Sequence, residues 1–379
     1  MPAGPHRTNG PAGAVRYTAI HQLTAGFVIG DAISLEIVAI RDLCRALGYE
    51  SEIFVPLAVT TAESRRMVRP LEAYRPAASE LLIYHYSIQS AATDVFRRSS
   101  APKIMIYHNV TPASFFKGFD ERVVRQLENG RQELGAVAAL ADAVWADSAY
   151  NAAEVAALGA KRVQVFPLLF SPGAYDLPPD PAVLQGLSSP TKKILFVGRM
   201  APNKCVEELI EAFAWYHKHF ERRSELLLVG SERTCPRYFA MLRMFAAELD
   251  LMSVSFIRSA SPAGLVAYYQ RADLFATTSR HEGYGLPVVE AMYKGVPVLA
   301  RSTGGVPEAM DGAGVLFDEA SPAELAALMA RLISDAALRS EVLASQQARI
   351  RRLLARPVQE EFRNLLAALP ADLPAGAGR

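Results

Sequence analysis

The stretch Ser279-Arg280-His281-Glu282-Gly283-Tyr284-Gly285-Leu286-Pro287-Val288-Val289-Glu290-Ala291-Met292 decides how the chain folds. The apolar run Leu274-Phe275-Ala276 leads into it and predicts a buried strand. Pro287 suits the first turn of a helix, because its missing N–H would have no helical partner there. That helix is expected to run to about Lys294 and to stop at Gly295. Val296-Pro297-Val298-Leu299 then reads as the next strand. The order is strand, glycine loop, helix, strand.

Such a loop suits an anionic ligand. Backbone N–H groups at a helix N-terminus lack partners and carry partial positive charge. Gly283 and Gly285 let a ligand approach the backbone closely. Glu282 precedes the loop and Glu290 lies in the helix. A carboxylate is repelled by a phosphate, so both glutamates make better sense against hydroxyl groups, a sugar at one end of the ligand and a ribose at the other.

The stretch resembles the E-x7-E signature of family 4 glycosyltransferases, which have the GT-B fold. The resemblance implies that Glu282 and the loop Gly283, Tyr284, Gly285 and Leu286 hold the donor sugar, and that Glu290 binds the nucleotide ribose. The bland alternative is a surface glutamate followed by a solvated helical one.

Composition sets the frame. At 379 residues the chain is too long for one ordinary core and suits two α/β domains. Apolar residues make up 51%, and the net charge of +1 argues against bulk nucleic-acid binding. Cys44, Cys205 and Cys235 form neither a disulfide framework nor a CxxC site, which fits a reducing cytoplasm. No apolar run reaches about 18 residues, so no membrane span is expected. Residues 1–13 lack the apolar core of a signal peptide and read as a disordered lead; the tail from Pro370 reads the same way.

The first domain is expected over 14–172. Val15 to Gln22 reads as its first strand, followed by a turn with Gly30 and Asp31 and a helix with Ile33, Ile37, Ile40, Leu43, Cys44 and Leu47 on one face. The family places a glycine-containing loop here, facing the donor phosphates and the acceptor. The resemblance therefore puts Gly30 on the donor and Asp31 on the acceptor side, although the family's common Gly-Gly pair is missing. Asp31 is equally suited to cap the helix. Two further strands end alike, in Tyr84-His85-Tyr86 and Tyr107-His108-Asn109. Ligands of open parallel sheets sit off the carboxyl ends of strands, so His85, His108 and Asn109 are expected in one cleft. The alternative for each histidine is a hydrogen-bonded structural role. The resemblance implies that His108 contacts the donor sugar, with His85 and Asn109 on the acceptor side. Phe115-Phe116-Lys117-Gly118-Phe119 is expected either to pack within this domain or to meet a lipid-linked acceptor at a membrane.

Residues 171–190 are rich in proline and read as a linker. The second domain, 190–355, opens with the strand Lys193-Ile194-Leu195-Phe196-Val197, then Gly198-Arg199 and Lys204. Two cations between a strand and a helix can neutralise a diphosphate, and the family grips it with this arrangement. A last helix over 357–369 is implied to cross back to the first domain. His217 and His219 cannot share a helical face, and no DxD is present, so no metal site is expected.

The resemblance as a whole implies a retaining, metal-independent GT-B glycosyltransferase without a bound cofactor. It would move a hexose of mannose or glucose type from a GDP- or UDP-sugar to a glycan, lipid-linked or small-molecule hydroxyl. A cytoplasmic location, with peripheral contact at the inner membrane face as an option, follows from the same reading. The rivals are a GT-B epimerase or phosphorylase and a non-catalytic two-domain sugar-binding protein. A dinucleotide oxidoreductase is disfavoured by the lack of GxGxxG after a strand.

Overall fold

The computed structural model describes residues 17–370 except 61 and 78. The expected lead over 1–13, the start of the first strand at Val15 and the tail beyond Pro370 lie outside the described residues.

Two parallel sheets form the molecule. The first contains β1 (Ala19–Thr24), β2 (Ile53–Val55), β3 (Arg69–Pro70), β4 (Glu80–Tyr86), β5 (Lys103–Tyr107), β6 (Ala143–Ala146) and β7 (Val163–Val165), in the order β3-β2-β1-β4-β5-β6-β7. Their apolar runs are continuous because a parallel sheet is covered on both faces; β4 is buried from Leu81 to Tyr86. Helices α1 (Ala32–Ala46), α2 (Ala91–Arg98), α3 (Glu121–Leu140) and α4 (Ala149–Ala157) supply that cover. The apolar face foreseen for α1 is present, with Ile37, Ile40, Leu43 and Cys44 buried; Glu36 is buried beside them.

The proline-rich segment carries a short helix of its own, α5 (Pro181–Gly186), which Asp180 caps. The second sheet contains β8 (Lys192–Val197), β9 (Ser224–Val229), β10 (Val254–Ile257), β11 (Leu274–Thr277), β12 (Val298–Arg301) and β13 (Val315–Phe317), in the order β10-β9-β8-β11-β12-β13. Around it lie α6 (Val206–His219), α7 (Pro236–Glu248), α8 (Pro262–Arg271), α9 (Leu286–Tyr293), α10 (Val306–Met310), α11 (Pro322–Ser334) and α12 (Ala336–Leu354). The last helix, α13 (Val358–Ala367), packs on the first sheet: Phe362 is fully buried with its ring 5.7 Å from Trp145 and 6.1 Å from Phe166. This is the GT-B arrangement of two parallel-sheet domains.

The two domains touch along the edge where their strands end. The phenylalanine loop, a 3-10 turn over Ala113–Phe116, spans that contact. Phe119 meets Tyr238 of α7 edge-on at 5.4 Å, and Phe115 lies 6.4 Å from the His281 ring. The expected packing within the first domain holds for Phe116, which is buried in the core that includes Val124 and Leu127 of α3, while Phe115 and Phe119 also meet the second domain.

Candidate functional site

The Glu282–Glu290 stretch folds as its residues predict. After β11, Gly285 takes the left-handed conformation (φ 96°) as N-cap of α9, and Gly295 (φ 70°) follows its end. The N–H groups of Gly283, Tyr284 and Gly285 make no hydrogen bond among the described residues. A second glycine turn lies flat against the loop: the Gly305 N–H donates to the Glu282 carbonyl at 3.1 Å. A Cβ at Gly305 would come within 2.2 Å of the Gly283 carbonyl oxygen, so only glycine fits there.

Lys204 ends a 3-10 turn, Pro202–Lys204, between β8 and α6. Asn203 ties that turn to the motif, since its Nδ2 donates to the His281 carbonyl at 3.2 Å. Lys204 Nζ then reaches a Glu282 carboxylate oxygen at 2.6 Å. Arg199 is exposed, and its side chain makes no hydrogen bond or ion pair among the described residues. One cation is thus paired and the other is available.

Glu290 lies deeper than expected. Its carboxylate is buried and accepts from Tyr175 Oη at 2.5 Å and Tyr269 Oη at 2.7 Å. Burial raises its pKa, and the two tyrosine hydrogen bonds partly oppose that rise. Both of its oxygens are thus held by tyrosine hydroxyls, one of them from the linker.

Of the first-domain residues, Gly30 is exposed in a left-handed turn (φ 88°). Asp31 sits at the N-cap position of α1 without making a side-chain cap bond. Asn109 adopts φ 76° and is buried, donating to Asn151 Oδ1 at 2.8 Å and to Glu154 at 3.2 Å. Its amide nitrogen thus ties the end of β5 to α4.

The two histidines correct the expectation. His85 Nε2 bonds Gln22 Oε1 at 2.8 Å, and His85 Nδ1 bonds His108 Nε2 at 2.9 Å. His108 Nδ1 bonds Asp147 Oδ2 at 2.9 Å, with a Glu36 oxygen at 3.4 Å. Both ring nitrogens of both residues are occupied, and both side chains are buried, so neither offers a nitrogen to a sugar or an acceptor. Burial alone would depress His108, but Asp147 by charge and hydrogen bond, with Glu36 and Asp31 behind it, raises it to about 9. Burial, then the charge on His108, pushes His85 well below the usual histidine range. Burial, then Asp147, raises Glu36 to about 8.

Glu36, His85 and His108 offer atoms within 4.8 Å of one another, close enough to consider a metal. Their geometry favours a shared proton. The two imidazoles point at each other, and Glu36 lies at the opposite nitrogen of His108.

Gln22, Glu36, Asp147, Tyr175 and Glu308 escaped the sequence reading. Glu36 left a signal, a carboxylate within the apolar face of α1. Asp147 directly follows β6, where the same reasoning that singled out the histidines applies, whereas Gln22 lies inside β1.

The domains meet at the motif loop itself. Ser148 Oγ donates to the Gly283 carbonyl at 2.9 Å, and the Ala149 N–H donates to Glu308 at 2.6 Å. A carboxylate from one domain thus sits at the positive end of α4 in the other.

Residues 185–349 match the model of the family described as glycosyl transferases group 1. Over 159 residues the chain is 34% identical to D-inositol 3-phosphate glycosyltransferase of Corynebacterium jeikeium, which is 41% of this chain and 38% of that protein. A Thermomonospora curvata protein of the same name is 34% identical over 179 residues, 45% of this chain and 41% of its own. The chain thus matches about two fifths of the length of these curated relatives. Whole-chain likeness is structural. Sucrose-phosphate synthase from Thermosynechococcus elongatus superposes with a TM-score of 0.69 at 19% identity, over 92% of this chain and 100% of that one. Anabaena HepE, solved with UDP and glucose, superposes at 0.66 with 20% identity, over 93% and 100%. These neighbours show the GT-B fold over more than nine tenths of the chain. No helix among the described residues is long and apolar enough to cross a membrane.

Proposed function

We propose that this protein is a retaining glycosyltransferase that moves a hexose from a nucleoside diphosphate sugar to an acceptor hydroxyl. The observation that carries the reading is the pair of Lys204 and Glu282 beside the open N–H groups of the Gly283–Gly285 loop. It sets a cation, a sugar-binding carboxylate and a helix N-terminus around one space. The group 1 family of the second domain and the UDP-bound neighbour support the same ligand class.

In this reading Arg199, Lys204 and the N-terminus of α9 take the diphosphate and stabilise its departure without a metal. Glu282 and the loop through Leu286 hold the transferred sugar. Glu290 takes the ribose after Tyr175 moves. The acceptor enters from the Gly30 and Asp31 side. The acceptor attacks on the face that the diphosphate leaves, assisted by the departing phosphate, a course that needs no protein nucleophile. A GDP- or UDP-linked mannose or glucose donor and a glycan, lipid-linked or small-molecule acceptor fit this arrangement.

The test is thermal unfolding with UDP, GDP, ADP and their sugars, since a ligand specific for the folded state raises Tm. One nucleoside diphosphate should stabilise, and its release from the sugar nucleotide should require an acceptor and survive EDTA. Absence of stabilisation by every nucleoside diphosphate defeats the proposal. Loss of activity in EDTA, restored by a divalent cation, defeats its leaving-group part.

A further inference from the structure

The hydrogen bonds among Gln22, His85, His108 and Asp147 have a direction. Gln22 Nε2 donates to the Ile37 carbonyl at 3.1 Å, so Gln22 Oε1 is the atom that faces His85 and it can only accept. His85 Nε2 therefore carries a proton. With His85 neutral, its Nδ1 accepts, and His108 Nε2 must donate to it. The other nitrogen of His108 faces a carboxylate oxygen of Asp147. The string therefore holds one proton more than two neutral imidazoles and a carboxylate carry. Imidazole is the more basic site by about 2.6 pH units, so the proton belongs to a histidine. Between the two, His108 has Asp147 at 2.9 Å and Glu36 at 3.4 Å, whereas the far side of His85 meets only a neutral amide.

The four residues come from β1, β4, the end of β5 and the end of β6, which are neighbours in the sheet. The string thus runs sideways across the carboxyl edge of the first domain. It ends one residue before Ser148, the residue that grips Gly283 of the motif loop. The His108 carbonyl also abuts that loop, since a Cβ on Gly283 would come within 2.6 Å of it.

We propose that Gln22, His85, His108 and Asp147 form a proton-holding string, with His108 as a buried imidazolium, that positions Ser148 and the His108 carbonyl against the donor loop. His108 is then a positioning residue for transfer and touches no sugar. The functional part rests on the donor-loop reading given above; the charge on His108 does not. The groups facing His108 are His85 from β4, Asp147 after β6, Glu36 of α1 and Asp31 before it, with Arg356 acting on Glu36 from the segment before α13.

Nitrogen-15 NMR of histidine-labelled protein at about pH 7.5 tests the string directly. His108 should carry protons on both ring nitrogens, and His85 on Nε2 alone. In Asp147→Asn, His108 should lose one proton, and kcat should fall about tenfold or more while bare nucleoside diphosphate affinity moves less than about threefold. Should that variant fold poorly, His85→Gln, which keeps an acceptor for His108, should retain the doubly protonated signature and most turnover, and His85→Leu should lose both. A singly protonated His108 in the parent protein overturns the proposal. So does full kcat in Asp147→Asn, and so does one equivalent of tightly bound metal in the purified protein. If no nucleoside diphosphate binds at all, the donor reading falls, and the ring-nitrogen spectra still decide the string.

Discussion

Lys204 Nζ lies 2.6 Å from the Glu282 carboxylate, so the cation proposed for the donor diphosphate already has a counter-charge. A diphosphate must compete with that carboxylate. Replacing Glu282 with Gln should therefore tighten binding of the bare nucleoside diphosphate, by about 1 kcal/mol for a mostly buried pair. The same change should lower turnover, because the contact with the transferred sugar is weakened. Lys204→Ala should weaken diphosphate binding by about 1.5–3 kcal/mol. Calorimetry with the bare nucleotide separates the two, and a weaker Glu282→Gln complex contradicts the competition.

The buried histidines set a stability maximum. His108 is raised to about 9, so its contribution is complete below about pH 6.5 and is lost as pH rises through 9. Glu36, raised to about 8, adds a loss in the same direction. His281 is lowered to about 4 by burial and His85 is lowered too, so their contributions hold above about pH 6.5 and are lost as pH falls. Chemical denaturation across pH should show greatest stability near pH 6.5 and a decline on both sides. Stability still rising between pH 7 and 9 would contradict the charge placed on His108.

Tyr175 joins the linker to Glu290. Tyr175→Phe leaves a buried carboxyl with one tyrosine donor instead of two, and should cost about 1–3 kcal/mol in urea unfolding. It should also remove the obstacle to a ribose, so the loss in the presence of saturating nucleotide should be smaller than in its absence. Equal losses in both conditions would separate Glu290 from the ribose.

Phe119 and Tyr238 form an edge-on ring pair across the domains. A double-mutant cycle with Phe119→Leu and Tyr238→Phe or Leu should yield a coupling of about 0.5–1.5 kcal/mol for the ring pair. Small-angle scattering should show a larger radius for Phe119→Leu than for the parent. An unchanged radius with no coupling would mean that the loop does not hold the domains together.

The glycine loop, the helix after it and the cations before α6 were legible because local chemistry decides them. Pro287, Gly285 and Gly295 specify where α9 starts and stops whatever surrounds it. The histidines were misread because strand ends look alike in sequence whether a side chain enters a cleft or lies along the sheet edge. Only the strand order, with β4 beside β5, brings His85 and His108 within bonding distance. The phenylalanine loop was legible in part: Phe116 packs in the first domain as its apolar character implies, and only the tertiary structure brings Tyr238 of the other domain against Phe119. Glu290 was placed correctly in the helix, but the tyrosines that enclose it come from positions 115 and 21 residues away.

Trp145 and Phe166 in the first domain finish their packing against Phe362, near the far end of the chain. During synthesis, the first sheet therefore leaves the ribosome with this apolar patch still uncovered. It stays uncovered until nearly all of the second domain has been made. The first half of the protein has to wait in a partly open form for its own last helix, and a nascent chain stalled before Val358 would present that patch to chaperones.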